Sequence, residues 1–195
     1  DTIERVGRGL DAPARAFMRA SGFAAKPGRS LLLPGRDDAL AGVLFGIETA
    51  DAADKDLFLP GKLAGLLPPG TYRFANAPHD ARLAALGFAL DGYRFARYRK
   101  AEAPKATLVV PDGVDGAELE RIVAGATLAC DLINTPSNDM GPAELEAAAR
   151  RLAKAHRAAI RVIGGRALAS GFPLIAAVGA ASPRAPRLID LTWGN

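Results

Sequence analysis

The chain is poor in the groups that usually carry covalent and metal chemistry. Its 195 residues include one cysteine and two histidines. A single cysteine, Cys130, excludes an internal disulfide framework. Its helical, apolar neighbours predict a small buried residue, because a reactive thiol needs an electropositive and partly open site. There is no H-E-x-x-H, no pair of cysteines and no G-x-S-x-G, so the common signatures of zinc and serine hydrolases are missing. His79 precedes a helix cap and His156 falls in the last turn of a helix, where structural roles are expected. No apolar run approaches the roughly 20 residues of a membrane span. The opening DTIERVGRGL is charged, without the apolar core of a secretory signal. It also lacks an initiator methionine, so a trimmed chain and a cytoplasmic address are expected.

What is present reads as an ordinary globular protein, 49% hydrophobic and 24% charged. The net charge of +4 is scattered except for one cluster, YRFARYRK at 93–100. Interleaved basic and aromatic side chains can track a nucleic-acid backbone. The favoured alternative is the end of an amphipathic helix, with arginines near the negative C-terminal dipole and aromatics facing the core. No nucleic-acid motif accompanies the cluster, so such a partner is not expected. The carboxylates suggest no proton-transfer pair. Asp37-Asp38 falls in a turn, where acids satisfy local donors, and Glu118 and Glu120 fall in a first helical turn. Gly164-Gly165 is too short for a phosphate-cradling loop and lacks its lysine.

Turn and cap signals divide the chain. Asp11-Ala12-Pro13 predicts a helix start, with Gly22 as the stop. RSLLLPG and AGVLFGI predict two short strands, and a short helix is expected near 62–67. TYRFAN and KATLVVP predict two more strands. Between them Asp80 caps a helix with Leu83, Leu86, Leu90 and Tyr93 on one face. After the loop at 112–116, the spacing of Leu119, Ile122, Val123, Ala126, Cys130 and Ile133 predicts a long helix with one apolar stripe. It ends in the polar knot NTPSNDMGP, where Pro142 and Glu144 open another helix. AIRVIGG, PLIAAVG and RLIDLTW predict strands, with a helical turn at RALAS. The GN that follows RLIDLTW is a hairpin signal with no returning strand, so a truncated second domain is expected. The fold class is α/β, with an N-terminal α/β domain at 1–111, a linker and connecting helix at 112–134, and an incomplete peptidase-type domain at 135–195.

Three segments carry a resemblance: CDLINTPSNDMGPAELEAAARRLA, FPLIAAVGAASPRAPRLIDLTWGN and LGFALDGYRFARYRKAEAPKATLVVP. Together they resemble bacterial leucine aminopeptidases, also called cytosol aminopeptidases, along nearly the whole chain. NTPSNDMGP is the most specific part, followed by RAPRLIDLTWG. Ala176 and Ala180 stand where relatives carry histidine and arginine. The resemblance implies an N-terminal α/β domain, a connecting helix and a peptidase domain that binds two divalent metal ions, zinc or manganese. It also implies peptide substrates and a homo-hexamer. The family's metal ligands lie in motifs of the Lys-Gly-x-x-Phe-Asp-Thr-Gly-Gly and Asn-Thr-Asp-Ala-Glu-Gly type, downstream of the strand ending in DLTWG. Neither motif is in this chain, so no catalytic, cofactor-binding or metal-binding residue is assigned, and the chain alone is expected to be inactive. The alternative is a non-catalytic α/β binding or assembly module.

Overall fold

A computed structural model describes residues 2–35, 39–100, 102 and 105–194. The Asp37-Asp38 turn lies outside the described residues. Two compact units divide the chain, Asp1–Thr127 and Leu128–Asn195. Each builds its own core from short sheets and helices, as the mixed helix–strand class requires.

The first unit opens with α1 (Thr2–Gly9), a helix that the sequence reading missed, and α2 (Ala12–Ala20). The Asp11 carboxylate caps α2 by accepting from the Ala14 amide at 2.9 Å. Strands β1 (Ser30–Pro34) and β2 (Leu40–Phe45) pair antiparallel, with Ser30 opposite Phe45. Leu33 of β1 meets Ala14 and Met18 of α2 to form the first buried cluster.

A 3₁₀ turn (Leu59–Lys62) runs into α3 (Leu63–Leu66). The strands β3 (Gly70–Tyr72) and β4 (Ala106–Leu108) are only three residues each and pair parallel. Between them lies α4 (Ala81–Asp91), capped by the Asp80 carboxylate on the Leu83 amide. The expected stripe on α4 is too narrow. Ala84, Ala85, Leu86, Gly87 and Phe88 are all buried, and Tyr93 falls beyond the helix end. The helix is therefore covered nearly all round at its centre, which a one-face pattern does not report.

Helix α5 (Gly116–Asn134) begins in the first unit and ends in the second. Leu119 packs with Ala85 and Leu86, and Arg82 forms a two-bond pair with Glu118. The rest of its apolar stripe is not covered as expected. Ile122 is exposed, Ile133 is 81% exposed and Cys130 is only half-buried. Periodicity marks a face that can be buried, and only its N-terminal third finds partners within the first unit.

The second unit holds α6 (Pro142–His156), β5 (Ala159–Gly164), α7 (Gly165–Gly171), α8 (Pro173–Gly179) and β6 (Arg187–Thr192). β5 and β6 pair antiparallel over six residues. The helix α8 replaces the strand expected from PLIAAVG. A short apolar run is ambiguous between the two states, and Pro173 at the first helical position tips it toward helix. The buried apolar side chains of this unit are Ala148, Ala153 and Leu168. Among the described residues no helix is long and apolar enough to cross a membrane.

Candidate functional site

The polar knot between α5 and α6 is held by a dense set of hydrogen bonds. It starts at Thr135, which is buried among polar neighbours. The Thr135 hydroxyl donates to the Asp131 carbonyl at 2.6 Å, and its amide donates to the same oxygen at 3.1 Å. The amides of Asp139 and Met140 both donate to the Pro136 carbonyl at 2.9 Å, closing a turn that Pro136 stiffens by fixing its own φ. Glu144 reaches back so that its carboxylate accepts from the Gly141 amide at 2.9 Å, half of a capping box. Pro142 occupies the first turn, where its missing N–H costs nothing.

A second segment grips the knot from a distance in sequence. The Arg184 guanidinium donates to the carbonyls of Ser137 and Asn138. Arg184 is set by its own amide, which donates to the Ser182 hydroxyl at 3.1 Å. A Cβ at Gly141 would stand 2.5 Å from Arg184 Nη1 and 2.8 Å from its Cδ. A glycine there leaves the guanidinium its path. At the start of β6, Arg187 pairs with Glu146, which also accepts from Arg150 one turn along α6. Arg184 therefore holds NTPSNDMGP to RAPRLIDLTWG, and Arg187 ties the latter segment to α6 through Glu146. The sequence reading gave neither of them this role. Their signal was a pair of cations spaced three residues apart at a strand entry.

The Glu146 carboxyl is held below the usual glutamate range, first by the hydrogen bond from Arg150 and then by that from Arg187. The Glu144 carboxyl is lowered by its own backbone amide and then by that of Gly141. Groups more acidic folded than unfolded stabilise fully above the unfolded pKa, and that stability is lost as pH falls through the folded value. The second unit is therefore expected to weaken in acid below the usual glutamate range. Replacing Glu146 with Gln, which cannot titrate, should flatten that decline. Melting temperatures from about pH 5 to about pH 3 read it; an unaltered slope in the Gln variant would contradict the assignment.

The remaining sequence candidates stay apart. His79 Nε2 lies 2.8 Å from the Glu48 carbonyl, tying a loop ahead of α4. His156 lends its carbonyl to the Trp193 indole N–H at 3.0 Å. Glu118 is engaged by Arg82, Glu120 is exposed, and Gly164-Gly165 merely starts α7. The cluster at 93–100 is not a helix end, because α4 stops at Asp91. Arg94 reaches the last helical carbonyl, that of Asp91, and also donates to the Tyr93 carbonyl beyond it. Among the described residues no three of His, Cys, Asp and Glu gather where they could hold a metal ion. The knot's bonds run to its own backbone and to the flanking Asp131, Glu144 and Arg184, which suits positioning.

Two of the clefts in the first unit border its sheets and helices. One of about 700 Å³ runs along β2 and β3 and is lined by Leu44, Phe45, Leu67, Tyr72 and Phe74 among others. The other, about 500 Å³, lies between α4, β4 and α5 and is lined mainly by small apolar residues, with Glu120 as its carboxylate.

Comparison with known proteins assigns the two ends separately. Residues 2–111 match the family description "M17 aminopeptidase, N-terminal domain". Residues 127–195 match "Cytosol aminopeptidase family, catalytic domain". A probable cytosol aminopeptidase of Streptomyces avermitilis is 32% identical over 198 residues, covering 95% of this chain and 33% of that protein. Among solved structures, a cytosol aminopeptidase from Coxiella burnetii superposes with a TM-score of 0.86 at 34% identity, covering 98% of this chain and 42% of its own. The bottromycin maturation enzyme BotP, in complex with Mn, reaches 0.69 at 26% identity, over 92% of this chain and 42% of its own. The chain thus spans about a third of the length of the curated relative named here.

Proposed function

The chain belongs to the cytosol aminopeptidase family, M17, and on that premise we propose that it supplies the N-terminal domain and the beginning of the peptidase domain of a leucyl-type aminopeptidase. That enzyme removes N-terminal residues from peptides with two divalent metal ions. The observation that carries the reading is the order of the two matches, 2–111 and then 127–195, with α5 running between and into them. It supports a division into 1–111, a connector at 112–134 and a second domain at 135–195. Assembly into a homo-hexamer and a cytoplasmic address belong to the same proposal.

The described residues of this chain do not fit the metal pair. Two divalent ions need several carboxylates converging on one point, and the described residues offer no such group. No catalytic step is therefore written on this chain. Its share of the function is positional: the knot sets the direction in which α6 leaves α5, and Arg184 and Arg187 bind that entry to β6.

The 195-residue chain is expected to leave leucine p-nitroanilide uncleaved, with or without added Mn²⁺ or Zn²⁺. Manganese comes first in that test, given the bound Mn of BotP. Turnover that metal stimulates and a chelator abolishes would overturn the positional reading. The alternative, a non-catalytic binding module, draws its support from the 700 Å³ cleft in the first unit, though a fold alone does not specify a ligand.

A further inference from the structure

The segment Tyr93–Lys100 lies beyond α4, which ends at Asp91. Seven residues, 94–100, hold Arg94, Arg97, Arg99 and Lys100 and no acid; the nearest acids in sequence are Asp91 and Glu102. Arg94 is occupied with the end of α4. Arg97, Arg99 and Lys100 are exposed, and among the described residues none of them pairs with a carboxylate within 4.0 Å. Tyr93 and Phe95 are half-buried, but Tyr98 does not turn into the core as a helix end would require. Tyr98 keeps 53% of its surface in water. Its ring meets Phe95 edge to face, with centroids 5.8 Å apart, and the Arg97 guanidinium lies 5.6 Å from its centroid.

We propose that residues 93–100 form a binding surface for single-stranded nucleic acid, with Arg97, Arg99 and Lys100 at phosphates and Tyr98 as a stacking platform for a base. Three exposed cations without a carboxylate partner among the described residues favour a polyanion, which repays them by releasing counterions. A ring held by an edge contact and a cation is already ordered, so little rotamer freedom is lost when a base stacks on it. An acidic peptide offers no π-face to use the ring. An anionic bilayer would call for apolar side chains free to insert, and Phe95 is already half-buried against Tyr98. In a duplex the base faces are already stacked, so a single strand is preferred. With its cations directed to phosphates and no amide or carboxylate side chain within the segment to read base edges, binding is tolerant of sequence.

The test is fluorescence anisotropy of the 195-residue chain with a labelled oligothymidylate of roughly twenty nucleotides. Saturable binding is expected at low salt, with log K falling against log salt at a slope of about −2, three contacts at about −0.7 each. Arg99→Ala and Lys100→Ala should each reduce that slope by about 0.7. Tyr98→Ala should weaken binding roughly tenfold or more while leaving the slope alone, and Tyr98→Phe should bind nearly as the parent does. These side chains are exposed, and unchanged circular dichroism checks that the variants are folded. Absence of binding, slopes indifferent to Arg99 and Lys100, or full affinity in Tyr98→Ala would overturn the proposal. Tighter binding to duplex DNA, to polyglutamate or to phosphatidylserine vesicles would overturn it equally.

Discussion

Gly61→Ala is expected to cost the first unit about 3 kcal/mol, at the upper end of the penalty for overpacking a core. The 3₁₀ turn and α4 cross backbone to backbone at two glycines. A Cβ on Gly61 would stand 2.6 Å from the carbonyl carbon of Gly87 and 2.7 Å from its oxygen. Those atoms belong to a helix backbone and cannot swing aside as a side-chain tip could. One of the two segments must move, and both are buried, with Leu59 and Pro60 on one side and Ala84, Ala85 and Phe88 on the other. The separation would loosen the cluster of Leu63, Ala64 and Phe88. A fall of roughly 10 °C in the melting temperature of the first unit is expected. Gly125→Ala is the control, because a Cβ there meets nothing within 4 Å and a helix interior favours alanine by up to about 1 kcal/mol. If both variants melt with the parent, the crossing is looser than the structure has it.

Leu168→Ala should act as strongly on the second unit, by about 2–5 kcal/mol. Leu168 is 1% exposed, and the other buried apolar side chains of that unit are alanines, Ala148 and Ala153. The helix α7 that carries it packs against β5, β6 and α8. Removing three heavy atoms from so thin a core leaves a cavity that small alanines cannot fill. Hydrogen exchange is the readout: the amides of β5 and β6 should lose protection, while those paired between β1 and β2 keep theirs. Uniform loss along the whole chain would mean that the two units unfold as one.

Most elements could be read from the sequence because their signals are local. Asp11 and Asp80 cap the helices expected of them, and the hairpin strands β1 and β2 lie where alternating Gly and Pro signals bracket apolar runs. The failures have physical causes. α1 carries glycines at 7 and 9 and only eight residues, too little for a propensity argument. The α8 segment is apolar throughout, so neither period stands out. β3 and β4 end after three residues because pairing, which is non-local, decides strand length. The knot could be read as a turn, since Asn, Pro, Gly and Asp announce it. Arg184 could not, because its partners lie 46 and 47 residues away, beyond the reach of any spacing rule. The cluster at 93–100 was misread for the opposite reason. Its composition suited a helix end, and only the stop of α4 at Asp91 separates the two readings.

The clamp also has a place in time. The β1–β2 hairpin closes over a handful of residues, so its strands can meet within microseconds of the chain's collapse. β5 and β6 are separated by both α7 and α8, and the Arg184 contacts bridge more than forty residues. Closing a longer loop costs more chain entropy before any contact repays it. The knot can therefore turn the chain early through bonds to its near neighbours, whereas Arg184 can lock it only once the chain through α6, β5, α7 and α8 has been made. A ribosome that has released the first unit would expose the knot unlocked for as long as RAPR remains in the exit tunnel.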